Sequence, residues 1–120
     1  MTTNTRNKWI EKYDQLTAEA EIHRDSQSVS FGLLEAYDEL NAIEKAGIHE
    51  MLSEWLVSED NKLRYDAGFI TSQRKIVEML PAIDKAIEWI GEPSGPEAKY
   101  ELEKLSRIRG ELLDAATDIV

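Results

Sequence analysis

Apolar side chains recur at intervals of three and four along almost the whole chain, with charged residues between them, the periodicity of helices that bury one face. The first stripe, Trp9, Tyr13, Leu16 and Ala20, predicts a helix over about residues 6–22 that frays across 23–28. Ser30 is placed to cap a second helix, with Leu33, Ala36, Tyr37, Leu40 and Ile43 on one face and Gly47 ending it as a left-handed C-cap residue. A short third helix carries Ile48, Met51, Leu52, Trp55 and Leu56 and stops at residues 58–61, Ser-Glu-Asp-Asn, which are N-cap types for the next. The fourth places Leu63, Ala67 and Ile70 on a narrow stripe and ends near Arg74 or Lys75. The fifth starts around Ile76 and carries Met79, Leu80, Ile83, Ala86, Ile87 and Ile90. Pro81 within that run predicts a kink or a first turn, because proline lacks the N–H and clashes with the preceding turn. Gly91-Glu-Pro-Ser-Gly-Pro96 is the clear loop, with Ser94 or Gly95 as cap and Pro96 opening a sixth helix that presents Leu105, Ile108, Leu112 and Ala116.

No stretch alternates as a strand would, and short connections return each helix beside the last. The expected fold is all-α, about six amphipathic helices in antiparallel hairpins, as one domain over 1–120 with a first hairpin at 1–47. Residues 48–75 and 76–120 line up as two further hairpins. Within the first of these, Asp60, Arg64, Ala67 and Ile70 follow the turn, and Ile76-Val-Glu-Met-Leu80-Pro81-Ala-Ile83 opens the next. Over about residues 48–91 this resembles HEAT repeats, which implies an α-solenoid; a compact helical bundle is the alternative arrangement of the same helices. The resemblance also implies that Arg64 and Asp66 tie successive repeats together and do not touch ligands. The second repeat departs from the pattern, since its second helix opens with Pro96-Glu-Ala-Lys.

Composition narrows the chemistry. The chain has 120 residues, 24 acidic and 14 basic side chains, a net charge of −10 and no cysteine. Nucleic-acid binding through phosphates is disfavoured by that charge, and the missing thiols exclude disulfides, thiolate metal sites and a cysteine nucleophile. The opening residues lack the apolar core of a signal peptide and no apolar run approaches membrane-spanning length, so no membrane association is expected and the expected compartment is the cytoplasm. The two histidines, His23 and His49, sit in no metal or catalytic motif and read as exposed helix-end residues. No nucleophile motif or phosphate loop is present, so no catalytic residue, metal or cofactor is expected.

The charge is uneven. Residues 31–60 hold eight acidic side chains and one basic one, a net of −7. Glu35, Asp38 and Glu39 fall within one turn, and Glu50 and Glu54 stack four residues apart. Tyr65 and Phe69 lie off the apolar stripe of the fourth helix, and Trp89 off that of the fifth, so these aromatics either pack on a neighbouring hairpin or stand exposed as contact anchors. Together these eight residues form the expected partner-binding set. The favoured function is a protein-binding helical-repeat module. It is similar in size and charge to the small acidic immunity proteins, a likeness that implies an inhibitor neutralising a basic toxin or nuclease. The alternatives are a scaffold or adaptor subunit whose acidic face is only solvated, and an enzyme with a carboxylate and histidine site.

Overall fold

The computed structural model describes residues 3–23, 27–91 and 95–118, and among these it is all-α. Six helices follow in order: α1 Thr3–His23, α2 Gln27–Asp38, α3 Ala42–Leu56, α4 Asn61–Arg74, α5 Leu80–Ile90 and α6 Pro96–Asp118, with a 3-10 turn at Val77–Met79 before α5. The chain divides into two compact units, Met1–Met51 and Leu52–Val120, the boundary falling within α3.

In the N-terminal unit, α1 turns Trp9, Leu16 and Ala20 inward and α2 answers with Val29, Leu33 and Tyr37, all buried. Leu16 lies seven residues before the end of α1 and Gly32 five after the start of α2, and the two meet, so the pair folds back as a hairpin. A Cβ on Gly32 would lie 2.6 Å from a Leu16 methyl, which is why the smallest residue stands at this crossing. Ser30, expected as a cap, is buried inside α2. Of the expected fraying segment, 24–26 lie outside the described residues and Ser28 is helical.

The largest difference from the expected elements is the end of the second helix. Gly47 does not stop it; α2 ends at Asp38 and Gly47 lies in the middle of α3. The break is made by Asn41, whose side-chain oxygen accepts from the Glu44 N–H at 2.8 Å while the Glu44 carboxylate accepts from the Asn41 N–H at 3.0 Å. This reciprocal pair satisfies two donors at a helix start, and it outweighs a lone glycine as a boundary signal. As a consequence Ile43, expected on the buried stripe of the second helix, opens α3 and is 78% exposed.

In the C-terminal unit the expected boundaries hold except at the fifth helix, which begins at Leu80 and not around Ile76, the 3-10 turn at Val77–Met79 preceding it. Asp60 caps α4, accepting from the Lys62 N–H at 2.9 Å. Lys75 ends it in the left-handed region, φ 51°, with its N–H on the Ser72 carbonyl and that of Ile76 on the Thr71 carbonyl. These are the paired bonds of a Schellman turn. Pro81 lies in the first turn of α5 and not at a kink, and Pro96 is the first residue of α6. The expected cap Ser94 lies outside the described residues. Ala67, Ile70, Met79, Ile83, Leu105, Ile108 and Leu112 form the core.

Candidate functional site

Two surfaces carry the candidate residues. The first begins with a buried cation at the start of α4. Arg64 is 8% exposed, its Nε donates to Glu101 on α6 at 2.5 Å, and one terminal nitrogen reaches the other carboxylate oxygen at 3.1 Å. The same guanidinium donates to the Ser58 carbonyl at 2.8 Å and to the Asn61 side chain. A two-pronged, desolvated Arg–Glu pair of this kind fixes orientation as well as energy. Further along the seam, the Ser72 hydroxyl and the Lys75 ammonium both donate to Glu111, at 2.9 and 3.1 Å. These contacts join residues 36 to 39 apart in a rising order along both helices, so α4 and α6 run parallel.

Three aromatic side chains of the C-terminal unit are exposed. Trp89, near the end of α5, lies over the Arg64 guanidinium at 5.1 Å, and Tyr65 lies under the Lys104 ammonium at 4.1 Å. Both rings are thereby held by cations while remaining about half in solvent, 55% for Trp89 and 49% for Tyr65. Tyr100, one turn before Lys104 on α6, is 70% exposed. Burial of Lys104 holds its ammonium below the usual lysine range; Glu101 opposes that shift, Arg107 adds to it and Asp66 opposes it. Phe69, one turn after Tyr65, is half-buried.

The second surface lies on α2. Leu33 and Tyr37 are buried on one face of α2, and Phe31, Glu35 and Asp38 occupy the opposite face at spacings of four and three. Phe31 is 57% exposed there, and Glu39 extends the acidic group just past the helix end. The last turn of α2 contains no basic side chain, so Glu35 and Asp38 stand at the negative end of the helix dipole. Residues 31–51 include one cation, Lys45, and its ammonium lies 5.2 Å over the Tyr37 ring on the buried side of α2. On α3, Glu50 is exposed and borders a shallow groove of about 390 Å³ with Ala42, Ile43, Ala46 and Gly47.

The expected partner-binding residues therefore fall into two groups. Glu35, Asp38, Glu39 and Glu50 belong to the N-terminal unit; Glu54, exposed, belongs to the C-terminal unit with Tyr65, Phe69 and Trp89. Sequence reasoning missed Phe31 and Tyr100. The spacing of Phe31 to Glu35 and Asp38 could have placed it on the acidic face, whereas Tyr100 carried no such signal. Arg64 ties α4 to α6, a structural role. His23 is exposed in the last turn of α1, but His49 is not a helix-end residue: it lies within α3, half-buried, 2.7 Å from the Tyr37 hydroxyl and nearly parallel to its ring. Among the described residues, no group of three or more histidines and carboxylates is placed to hold a metal ion, and no helix is long and apolar enough to cross a membrane. Comparison with protein-family models, with curated proteins and with solved structures found no match.

Proposed function

We propose that the chain is a protein-binding helical module, an acidic inhibitor that neutralises a basic toxin or nuclease by direct contact, with the exposed face of α2 as its docking face. The observation that carries this reading is the placement of Glu35, Asp38 and Glu39 at the C-terminal end of α2. Glu35 and Glu39, four residues apart at that end, oppose the helix dipole and each other, so they cost stability locally. A cationic partner relieves both penalties. Exposed Phe31 on the same face supplies an apolar contact that carboxylates alone lack. Carboxylates presented in a row occupy a nuclease surface built for phosphates, and their field accelerates encounter with a positive partner. The HEAT-like reading of residues 48–91 belongs to the same proposal and draws support from the parallel register of α4 and α6, whose contacts join residues 36 to 39 apart.

The test is affinity capture with the tagged chain, elution by a salt step, and assay of the eluted protein's catalytic activity with and without the chain. A basic protein that binds one-to-one, is inhibited, and is lost with Glu35→Lys, Asp38→Lys and Glu39→Lys combined is the expected result. Binding that is indifferent both to salt and to the triple reversal overturns it.

A further inference from the structure

The exposed face of α3 is apolar over its first two turns. Ala42, Ile43 and Ala46 are exposed, Ile43 at 78%, and with Gly47 and the exposed Glu50 they line one shallow groove of about 390 Å³. No side chain of Ala42, Ala46 or Gly47 extends beyond Cβ, so another helix can approach α3 closely there. Residues 42 to 50 rise about 12 Å along the axis, about two turns of a partner helix. We propose that this groove seats a cationic amphipathic helix of the basic partner, its aliphatic face packed on Ile43 and the small residues and a lysine or arginine set against Glu50. The proposal rests on the reading of the chain as an inhibitor of a basic protein, to which it adds a second contact and the shape of what is bound.

Charge and backbone chemistry select that occupant. Among the described residues lining the groove, the one charged side chain is a carboxylate, Glu50. The other titratable side chains of α3 in this unit are engaged elsewhere: the Glu44 carboxylate accepts from the Asn41 N–H, the Lys45 ammonium lies over the Tyr37 ring, and His49 meets the Tyr37 hydroxyl. A second copy would bring its own Glu50 and a net charge of −10 to the same groove, so like charge disfavours it. An extended segment gains little, because the backbone of α3 is bonded within the helix and leaves no ladder to join. A helix satisfies its own backbone and needs from a groove only apolar contact and a counter-charge, which Ile43, Ala46 and Glu50 offer.

A synthetic helix tests this on the full chain. The probe is a peptide of about 20 residues with leucine on one face and lysine on the other, long enough to hold a helix. In the control peptide every leucine is alanine, which keeps the charge and the helix. Amide chemical shifts of the isotope-labelled chain locate the contact, and fluorescence anisotropy of the labelled peptide reads the affinity. The leucine peptide should shift residues 42–50 and bind about tenfold more tightly than the control. Ala46→Gln fills the groove at an exposed position without changing charge, and should weaken the leucine peptide about tenfold. Glu50→Gln should weaken it about threefold, as loss of one exposed ion pair. Equal binding of the two peptides, or a leucine peptide indifferent to Ala46→Gln, overturns the proposal. So does a dimer of the chain alone that Ala46→Gln abolishes in sedimentation, since a second copy would then occupy the groove. The α2 face fails separately: a captured partner indifferent to salt and to the triple reversal removes that face whatever the peptide does. A captured partner that is lost with the reversal yet binds Ala46→Gln with unchanged affinity removes the groove alone.

Discussion

In the C-terminal unit three acidic side chains are matched with cations from other segments, Glu101 with Arg64, Glu111 with Lys75 and Asp84 with Arg109, and Glu111 also meets Arg107 on its own helix. In the N-terminal unit the acidic residues of α2 gather at one end of the helix, and the nearby cation Lys45 is directed to the Tyr37 ring. Both units carry the same net charge, −5, from five basic and ten acidic residues in one and nine and fourteen in the other. Net charge alone therefore does not mark a docking surface. What distinguishes the α2 group is the crowding of Glu35 and Glu39 at the negative end of one helix, whereas Glu101, Glu111 and Asp84 each have a cation placed on them.

The sharpest way to break the comparison is to remove a matched partner. Glu101→Ala leaves the Arg64 guanidinium buried without its carboxylate, and loss of one member of a desolvated pair costs about 3 kcal/mol or more. Urea denaturation should show that loss, with Trp89 fluorescence shifting as its cation is freed. A change under about 1 kcal/mol would mean that water replaces Glu101 and that the seam is not desolvated.

A second contrast sets two helix crossings against each other. Gly32→Ala drives a Cβ into the Leu16 methyls, and the overpacking should exceed the gain in helix propensity, for a net loss of about 1 kcal/mol. At Gly68, where α4 crosses α6, the nearest atom would be 3.8 Å away, an ordinary contact. Gly68→Ala should therefore stabilise by up to about 1 kcal/mol through backbone entropy alone. Thermal melts of the two variants should move in opposite directions.

Much of the C-terminal unit was legible in the sequence because its signals are local. Asp60 as cap, the stop at Lys75 and the first-turn prolines at 81 and 96 each act within a few residues. The end of α2 was misread for the opposite reason: Gly47 is a conspicuous stop signal, and the weaker-looking Asn41 and Glu44 act only as a pair. His49 was misplaced by the same error, since a helix end at Gly47 would have left it near solvent. The exposure of Tyr65 and Trp89 was not legible, because it depends on Lys104 and Arg64 arriving from other helices. The acidic group on α2 was readable as a cluster, but its position relative to the dipole required knowing where the helix ends.

Smaller effects sharpen the account of the seam. The Thr71 hydroxyl is fully buried in α4 without a hydrogen-bond partner, so Thr71→Val, which keeps the shape and removes the polar atom, should stabilise by about 1 kcal/mol. At Glu111 burial pushes the carboxyl up, but hydrogen bonds from Lys75 and Ser72, with the charges of Lys75 and Arg107, leave it below its ordinary 4.5. A depressed folded value means that its contribution is fully present above pH 4.5 and disappears as pH falls through the lower value. Glu111→Gln should flatten that part of the acid-denaturation curve; an unchanged slope would remove Glu111 from the acid response.

The smallest expected change in stability separates the two units most directly. Glu35 and Glu39 are exposed, four residues apart with like charge, and lie at the end of α2 where the dipole is negative. Replacing both by glutamine removes their mutual repulsion and their conflict with the dipole, so the chain should become more stable, by a few tenths to about 0.5 kcal/mol. Low salt should enlarge the gain, since these interactions are screened. The same variant should bind a basic partner more weakly and more slowly, the reduction falling mainly on the association rate. A loss of stability in its place would make these carboxylates structural, matched like those of the C-terminal unit, and would remove the physical reason for placing the docking face on α2.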